Sequence, residues 1–341
     1  MTASVRPSCY ETDTQAIIDT LQTNLPHLPH AKLFPWLYLR NPEGRARVWV
    51  ATDPASNRMI GVASAFPRRI ARAGRVTPGY VLGDFCIDST QRSLGLALAL
   101  QRACLEGLTD SVPAFAFDFP SQSMLAIYKR LKIDVNLTMV RMAKPLRADR
   151  KIAELVRNPV LARGLNLLAN TGLRLRSGAG NKRGYFVTTE AGPWGEEFTH
   201  ALGQWNARGG ACVMRTADYL NWRYREHPLQ SYELLAARRS EKLVGYLILH
   251  MHGEGCFIDD LMAEDTRAKE ALLARATALA LERQVHTLSA PWMAVHRDRQ
   301  MFEQCGFRAR EPRPVVLIGL PSTTALAPFE DWLLTNGDWE S

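Results

Sequence analysis

Four short stretches in the first half of this 341-residue chain recur in its second half, in the same order. Trp36-Leu37-Tyr38-Leu39-Arg40-Asn41-Pro42 is echoed by Trp222-Arg223-Tyr224-Arg225-Glu226-His227-Pro228, and Met59-Ile60-Gly61-Val62 by Leu243-Val244-Gly245-Tyr246. Gly83-Asp84-Phe85 has a counterpart in Asp259-Asp260-Leu261, and Ile127-Tyr128-Lys129-Arg130-Leu131 in Met301-Phe302-Glu303-Gln304-Cys305. From Trp36, Gly61, Asp84 and Tyr128 to their counterparts the separation falls steadily through 186, 184, 176 and 174 residues, as small deletions in one of two copies would produce. An ordered series is hard to obtain by coincidence, so a tandem duplication is expected.

The first copy alternates helix and strand. Residues 13–25 place Ile17, Ile18, Leu21 and Leu25 on one helical face, with Asp13 as cap, and residues 31–40 read as a second helix closed by Asn41-Pro42. Strands are predicted over 46–52, 59–66, 80–87, 114–118 and 135–142, with helices starting at Leu94 and spanning 123–131. The division this implies is a domain over 1–145, a linker over 146–183 and a second domain over 184–341.

Residues 80–107 organise the first copy. An apolar run, Tyr80 to Ile87, feeds Gln91-Arg92-Ser93-Leu94-Gly95-Leu96-Ala97, which opens a helix. A helix N-terminus presents unpaired N–H groups and the positive end of its dipole, and small residues at Gly95 and Ala97 allow close approach, so a phosphate fits there. The second copy has Glu264-Asp265-Thr266-Arg267-Ala268-Lys269-Glu270 at this place, with three acids and no glycine. Acids beside a pyrophosphate repel it, which assigns phosphate binding to the first copy.

Arg92-Ser93-Leu94-Gly95-Leu96-Ala97 resembles the Arg/Gln-x-x-Gly-x-Gly/Ala signature of the GNAT acyltransferase superfamily, and Gly83 to Asp88 looks like that family's fourth strand. The resemblance implies an α/β fold: two tandem GNAT-like domains, each a mixed, mostly antiparallel sheet flanked by helices. It implies acetyl-CoA or another acyl-CoA as co-substrate, with no metal. Cys86, Ile87, Arg92, Ser93, Leu94, Gly95, Leu96 and Ala97 would bind it, together with Ser121, which stands where the family's late-helix motif has Asn. In that motif Tyr128 takes the place of the tyrosine that reprotonates the departing thiolate, although Lys132-Ile133 replace the family's Gly-Phe. The closing stretch 332–338 looks similar to acetyltransferase-like proteins of bacterial exopolysaccharide assembly.

Acyl transfer needs a base for the acceptor's proton and an acid for the leaving thiolate. Asp84 is the candidate base, since burial would raise its pKa; Asp88 shares its face by period-two alternation and is the rival. Cys86 has no histidine placed to activate it. Trp36, Tyr38 and Trp222 are candidates for the wall of a substrate pocket, or for core. His27 and His30 have no third ligand nearby in sequence, so a metal is not expected.

Residues 141–183 hold 11 Lys/Arg and two acids, so the chain's net charge of +8 resides in this segment. A basic amphipathic linker fits a helix packed across both domains, or peripheral contact with an anionic membrane. Nucleic-acid recognition motifs are not seen. Six scattered cysteines, with neither a signal peptide nor a membrane span in the sequence, set the expectation of a cytoplasmic protein. The expected activity is direct transfer from acyl-CoA to an amine or hydroxyl of a small-molecule or saccharide acceptor. The alternatives are a non-catalytic coenzyme A or partner-binding module, and a tRNA-dependent aminoacyl transferase acting on a cell-wall precursor.

Overall fold

The computed structural model describes residues 3–72, 74–109, 114–148, 184–206, 210–320, 326 and 328–339. The linker reading over 149–183 lies outside the described residues. In the first half β1 (Ser4–Pro7), α1 (Tyr10–Asn24), α2 (His30–Phe34) and a π-helical turn (Pro35–Leu39) precede β2 (Arg47–Thr52), β3 (Met59–Arg72) and β4 (Arg75–Ile87). Then come α3 (Leu94–Gly107), β5 (Ala114–Asp118), α4 (Gln122–Arg130) and β6 (Leu137–Pro145). The second half runs β7 (Phe186–Glu190), α5 (Glu196–Asn206), β8 (Ala211–Val213), α6 (Ala217–Leu220) and a second π-helical turn (Asn221–Arg225). It continues with β9 (Glu233–Arg239), β10 (Lys242–His252), β11 (Gly255–Ala263), α7 (Thr266–Glu282), β12 (Thr287–Met293), α8 (Arg299–Gln304), β13 (Arg308–Leu320) and β14 (Trp332–Leu333).

All the described strands join one sheet, ordered β1-β2-β3-β4-β5-β13-β6-β12-β11-β10-β9-β7, with β8 and β14 attached at β3. The architecture is therefore α/β, a large mixed sheet flanked by helices. The last strand of each half crosses to the other: β13 pairs with β5, β6 pairs with β12, and β6 and β13 pair with each other. Val316 of β13 consequently belongs to the core under α3 and α4, among Leu100, Met124 and Tyr128. Sequence order shows which strand ends each half but not its neighbour, so this exchange was not foreseen.

The two halves also meet through Trp36 and Trp222. Each indole N–H donates to the other's backbone carbonyl, at 2.8 Å and 3.1 Å, and the rings stack with centroids 4.9 Å apart. Both indoles are buried in the core on the α1 and α2 face, with Ile17, Leu21, Phe34, Val62 and Phe117. Apolar residues at helical spacing on α1 and α3 thus cover opposite faces of the same strands.

Candidate functional site

Two features of β4 create an opening in the sheet. β4 runs parallel to β5 only over Gly79–Val81 against Phe115–Phe117, then continues to Ile87 while β5 stops at Asp118. Past Val81 the β4 edge has no strand beside it on that side. The pairing of β3 with β4 also shifts register between Val62 and Ser64, so Asp84 and Phe85 sit in a bulge, with Asp84 at φ +46°. A non-glycine residue in the left-handed region is unusual and clusters at functional sites.

The bulge turns Asp84 toward α2 and the π-turn. Its Oδ2 accepts the Tyr38 hydroxyl at 2.6 Å and lies 4.0 Å from His30 Nδ1. Tyr38 also contacts Ser64 Oγ at 3.1 Å. Burial pushes the Asp84 carboxyl above the usual carboxylate range, against the opposing hydrogen bond from Tyr38. Asp88 is placed differently: Thr90 donates to it through both N–H and hydroxyl, and Arg58 pairs with it at 2.7 Å. The Thr90 hydrogen bonds hold its pKa down. Asp88 caps a turn.

Tyr128 lies across the sheet from Asp84, fully buried beneath α4, and donates its hydroxyl to Asp118 at 2.6 Å. Burial raises Asp118 to about 7. Sequence reading missed Asp118, and it weighed His30 only as a metal ligand, not as a neighbour of Asp84. An acid closing the apolar strand Ala114–Asp118 was the available signal for the first.

Ser93 caps α3, its side chain accepting from Leu96 N–H, and Arg92, Ser93, Leu94 and Gly95 are exposed. A Cβ added at Gly95 would meet nothing within 4 Å. The N-terminus of this 14-residue helix is therefore open to a ligand. Leu96 is half-buried, and Ala97 and Ile87 enter the core under α3. Ser121 caps α4 through Met124 N–H. Cys86 is buried against α1, with burial pushing its thiol up to about 12, so it is no nucleophile. Trp36 and Trp222 are spent on each other, and Tyr38 on Asp84.

The second half repeats this geometry and closes it. β11 leaves β12 after Phe257, with a register shift at Ile248 and Leu249 facing Asp260, which accepts the Tyr224 hydroxyl at 3.1 Å. Here the C-terminal segment occupies the opening. Arg215 bridges Asp260 at 2.6 Å and Asp338 at 2.7 Å, and Arg223 donates to the Gly337 carbonyl at 2.9 Å. Asp265 caps α7, and Glu264, Asp298 and Asp331 line the surrounding cavity with it. Among the described residues no cluster of three metal-ligating side chains occurs. No described helix is long and apolar enough to cross a membrane.

No protein-family model matches the chain, and none of the curated proteins compared matches it. Solved structures do. A probable N-acyltransferase from Enterococcus faecalis superposes with a TM-score of 0.67 at 12% identity, covering 94% of this chain and 74% of that one. A GCN5-related N-acetyltransferase from Anabaena variabilis gives 0.67 at 12% identity, covering 92% and 72%. Saccharomyces cerevisiae N-myristoyltransferase, solved with bound myristoyl-CoA, gives 0.55 at 13% identity, covering 93% and 83%. With its splayed strands, bulged fourth strand and open helix N-terminus, this chain has the fold of the GCN5-related N-acetyltransferases.

Proposed function

We propose that the chain is an acyltransferase that moves an acyl group, acetyl in the first instance, from acyl-CoA to an amine or hydroxyl. One observation carries the reading: the opening between β4 and β5 leads to the exposed N-terminus of α3 at Gly95. The unpaired β4 edge past Val81 suits the amides of a pantetheine arm, and the α3 N–H groups with Arg92 suit a pyrophosphate. The acyl-CoA would occupy the first half, because the equivalent opening of the second is filled by its own C-terminal segment and flanked by acids. The two halves are read as copies of one ancestral domain, the second having lost the cofactor and serving as scaffold.

A thioester in the opening would have Asp84 on one face of the sheet and Tyr128 on the other. The acceptor's nitrogen or oxygen attacks the thioester carbonyl carbon, Asp84 takes its proton, and amides freed by the bulge beside Cys86 hold the carbonyl oxygen. The C–S bond then breaks and Tyr128 gives its proton to the sulfur. Asp118, titrating near neutral pH, returns a proton to Tyr128. Peripheral contact of the basic linker with an anionic membrane, and a saccharide acceptor, belong to the same proposal.

The test is acyl-CoA turnover, followed by chromatography of coenzyme A and acylated product over a panel of amines and saccharides. Tyr128→Phe should lower kcat by roughly 10²–10⁴ while acyl-CoA affinity holds. Wild-type turnover in both Tyr128→Phe and Asp84→Asn would remove both residues from the mechanism.

A further inference from the structure

A second cavity, of about 230 Å³, lies where the two halves meet, over the central strands β13, β6, β12, β11 and β10. Phe119, the first residue beyond β5, is part of its lining, so it adjoins the opening assigned to acyl-CoA. Phe119, Phe257 and Trp339 give it an apolar, flat-walled character.

Its polar groups are cationic or neutral. Arg313 lines it with its guanidinium 5.4 Å from the Trp339 ring centroid. Arg141 reaches into the lining while held by Glu311 at 2.9 Å and donating to Ser289 at 3.3 Å. Among the described residues no carboxylate lines the cavity.

His250 completes the site. Its Nδ1 is hydrogen-bonded to Asp259 Oδ2, and Asp259 Oδ1 in turn accepts from Asn336, another lining residue. A carboxylate on Nδ1 fixes the tautomer that leaves Nε2 as a hydrogen-bond acceptor. Among the described residues Nε2 has no partner. The ring is held flat against Phe257, with centroids 5.2 Å apart. A built imidazole acceptor thus shares one cavity with Arg313 and an apolar wall.

We propose that this cavity binds a small organic anion with a flat or apolar body and a hydroxyl or amino group at its far end. Arg313 takes the anionic group and His250 Nε2 takes the hydrogen bond of the hydroxyl or amine. The site stands independently of the acyltransferase reading.

The test is calorimetry on the full chain without acyl-CoA, with 4-hydroxybenzoate as probe and benzoate and 4-hydroxybenzyl alcohol as controls. 4-Hydroxybenzoate should bind at least about tenfold more tightly than either control, since each lacks one of the two recognised groups. Arg313→Met should cost about tenfold in 4-hydroxybenzoate affinity. His250→Phe keeps the stack on Phe257 and should abolish the preference over benzoate, with thermal melts checking that both variants fold. Gly95→Glu should bind the probe as wild type does, so loss of acyl-CoA binding and loss of this site are told apart. The proposal is overturned if the wild type binds none of the three compounds, or if Arg313→Met and His250→Phe bind 4-hydroxybenzoate unchanged.

Discussion

Asp118 offers a quantitative test of the proton path. In the unfolded chain its carboxyl titrates near 3.8; folding raises it to about 7, by burial. A raised folded pKa means that the native state binds the proton more tightly. Stability is then fully present below the unfolded value and declines as pH rises through about 7, to a lower plateau above. Each pKa unit corresponds to about 1.4 kcal/mol, so the shift amounts to roughly 4 kcal/mol between pH 4 and pH 8, an upper figure because the buried site relaxes. Asp118→Asn keeps an acceptor for the Tyr128 hydroxyl and removes the ionisation. Urea unfolding followed by tryptophan fluorescence should show the variant near wild type at pH 4 and more stable by about 2–4 kcal/mol at pH 8. With a slope near 3 kcal/mol per molar, the midpoint moves by about 1 M. Equal destabilisation of the variant at both pH values would refute the argument, since Asp118 would then be ionised and stabilising in the native state.

Two further perturbations follow from the packing. Trp36→Phe and Trp222→Phe each leave a buried carbonyl without its indole donor and should each cost about 2–4 kcal/mol. A double-mutant cycle should return a coupling of about 1–3 kcal/mol, and additivity within about 0.3 kcal/mol would mean that the halves do not lean on each other there. Gly337→Ala would place a Cβ 1.8 Å from the Tyr224 hydroxyl. It should destabilise by about 2–3 kcal/mol and loosen the C-terminal segment to proteolysis, and a neutral result would contradict the filled second opening.

Much of the fold was legible because hydrophobic period tracks element type. The strand read over 114–118 and the helix read from Leu94 stand as expected, and the helix read over 31–40 is there as α2 followed by a π-helical turn. β3 and β4 extend further than the sequence suggested, to Arg72 and from Arg75. Charged Arg68-Arg69 and the pair Pro78-Gly79 broke the apolar pattern there. Arg68 is nonetheless buried over the Tyr219 and Trp222 rings, and Gly79 makes room for Ile70 across the hairpin. Burial by tertiary partners overrode local polarity.

The site was partly legible for a different reason. Asp84 and Tyr128 stood out by place within a motif, but their hydrogen-bond partners come from residues far apart in the chain or of unremarkable type. Tyr38 reaches Asp84 only because a π-turn and a bulge face each other, and neither leaves a compositional mark. The filling of the second opening is a long-range contact between the chain end and β11. The acids of 264–270 hinted at a lost phosphate site, but nothing local showed what had taken its place.

The central claim is that the first half alone receives acyl-CoA at the N-terminus of α3. Isothermal calorimetry with acetyl-CoA on the wild type, Gly95→Glu and Arg267→Glu tests it most directly. Gly95 faces open space, so a side chain there blocks a ligand without disturbing the core, and Arg267 is exposed at the corresponding place in the second half. The account predicts binding by the wild type and Arg267→Glu, and its loss in Gly95→Glu. No binding by the wild type, or binding that survives Gly95→Glu and is lost in Arg267→Glu, would contradict it.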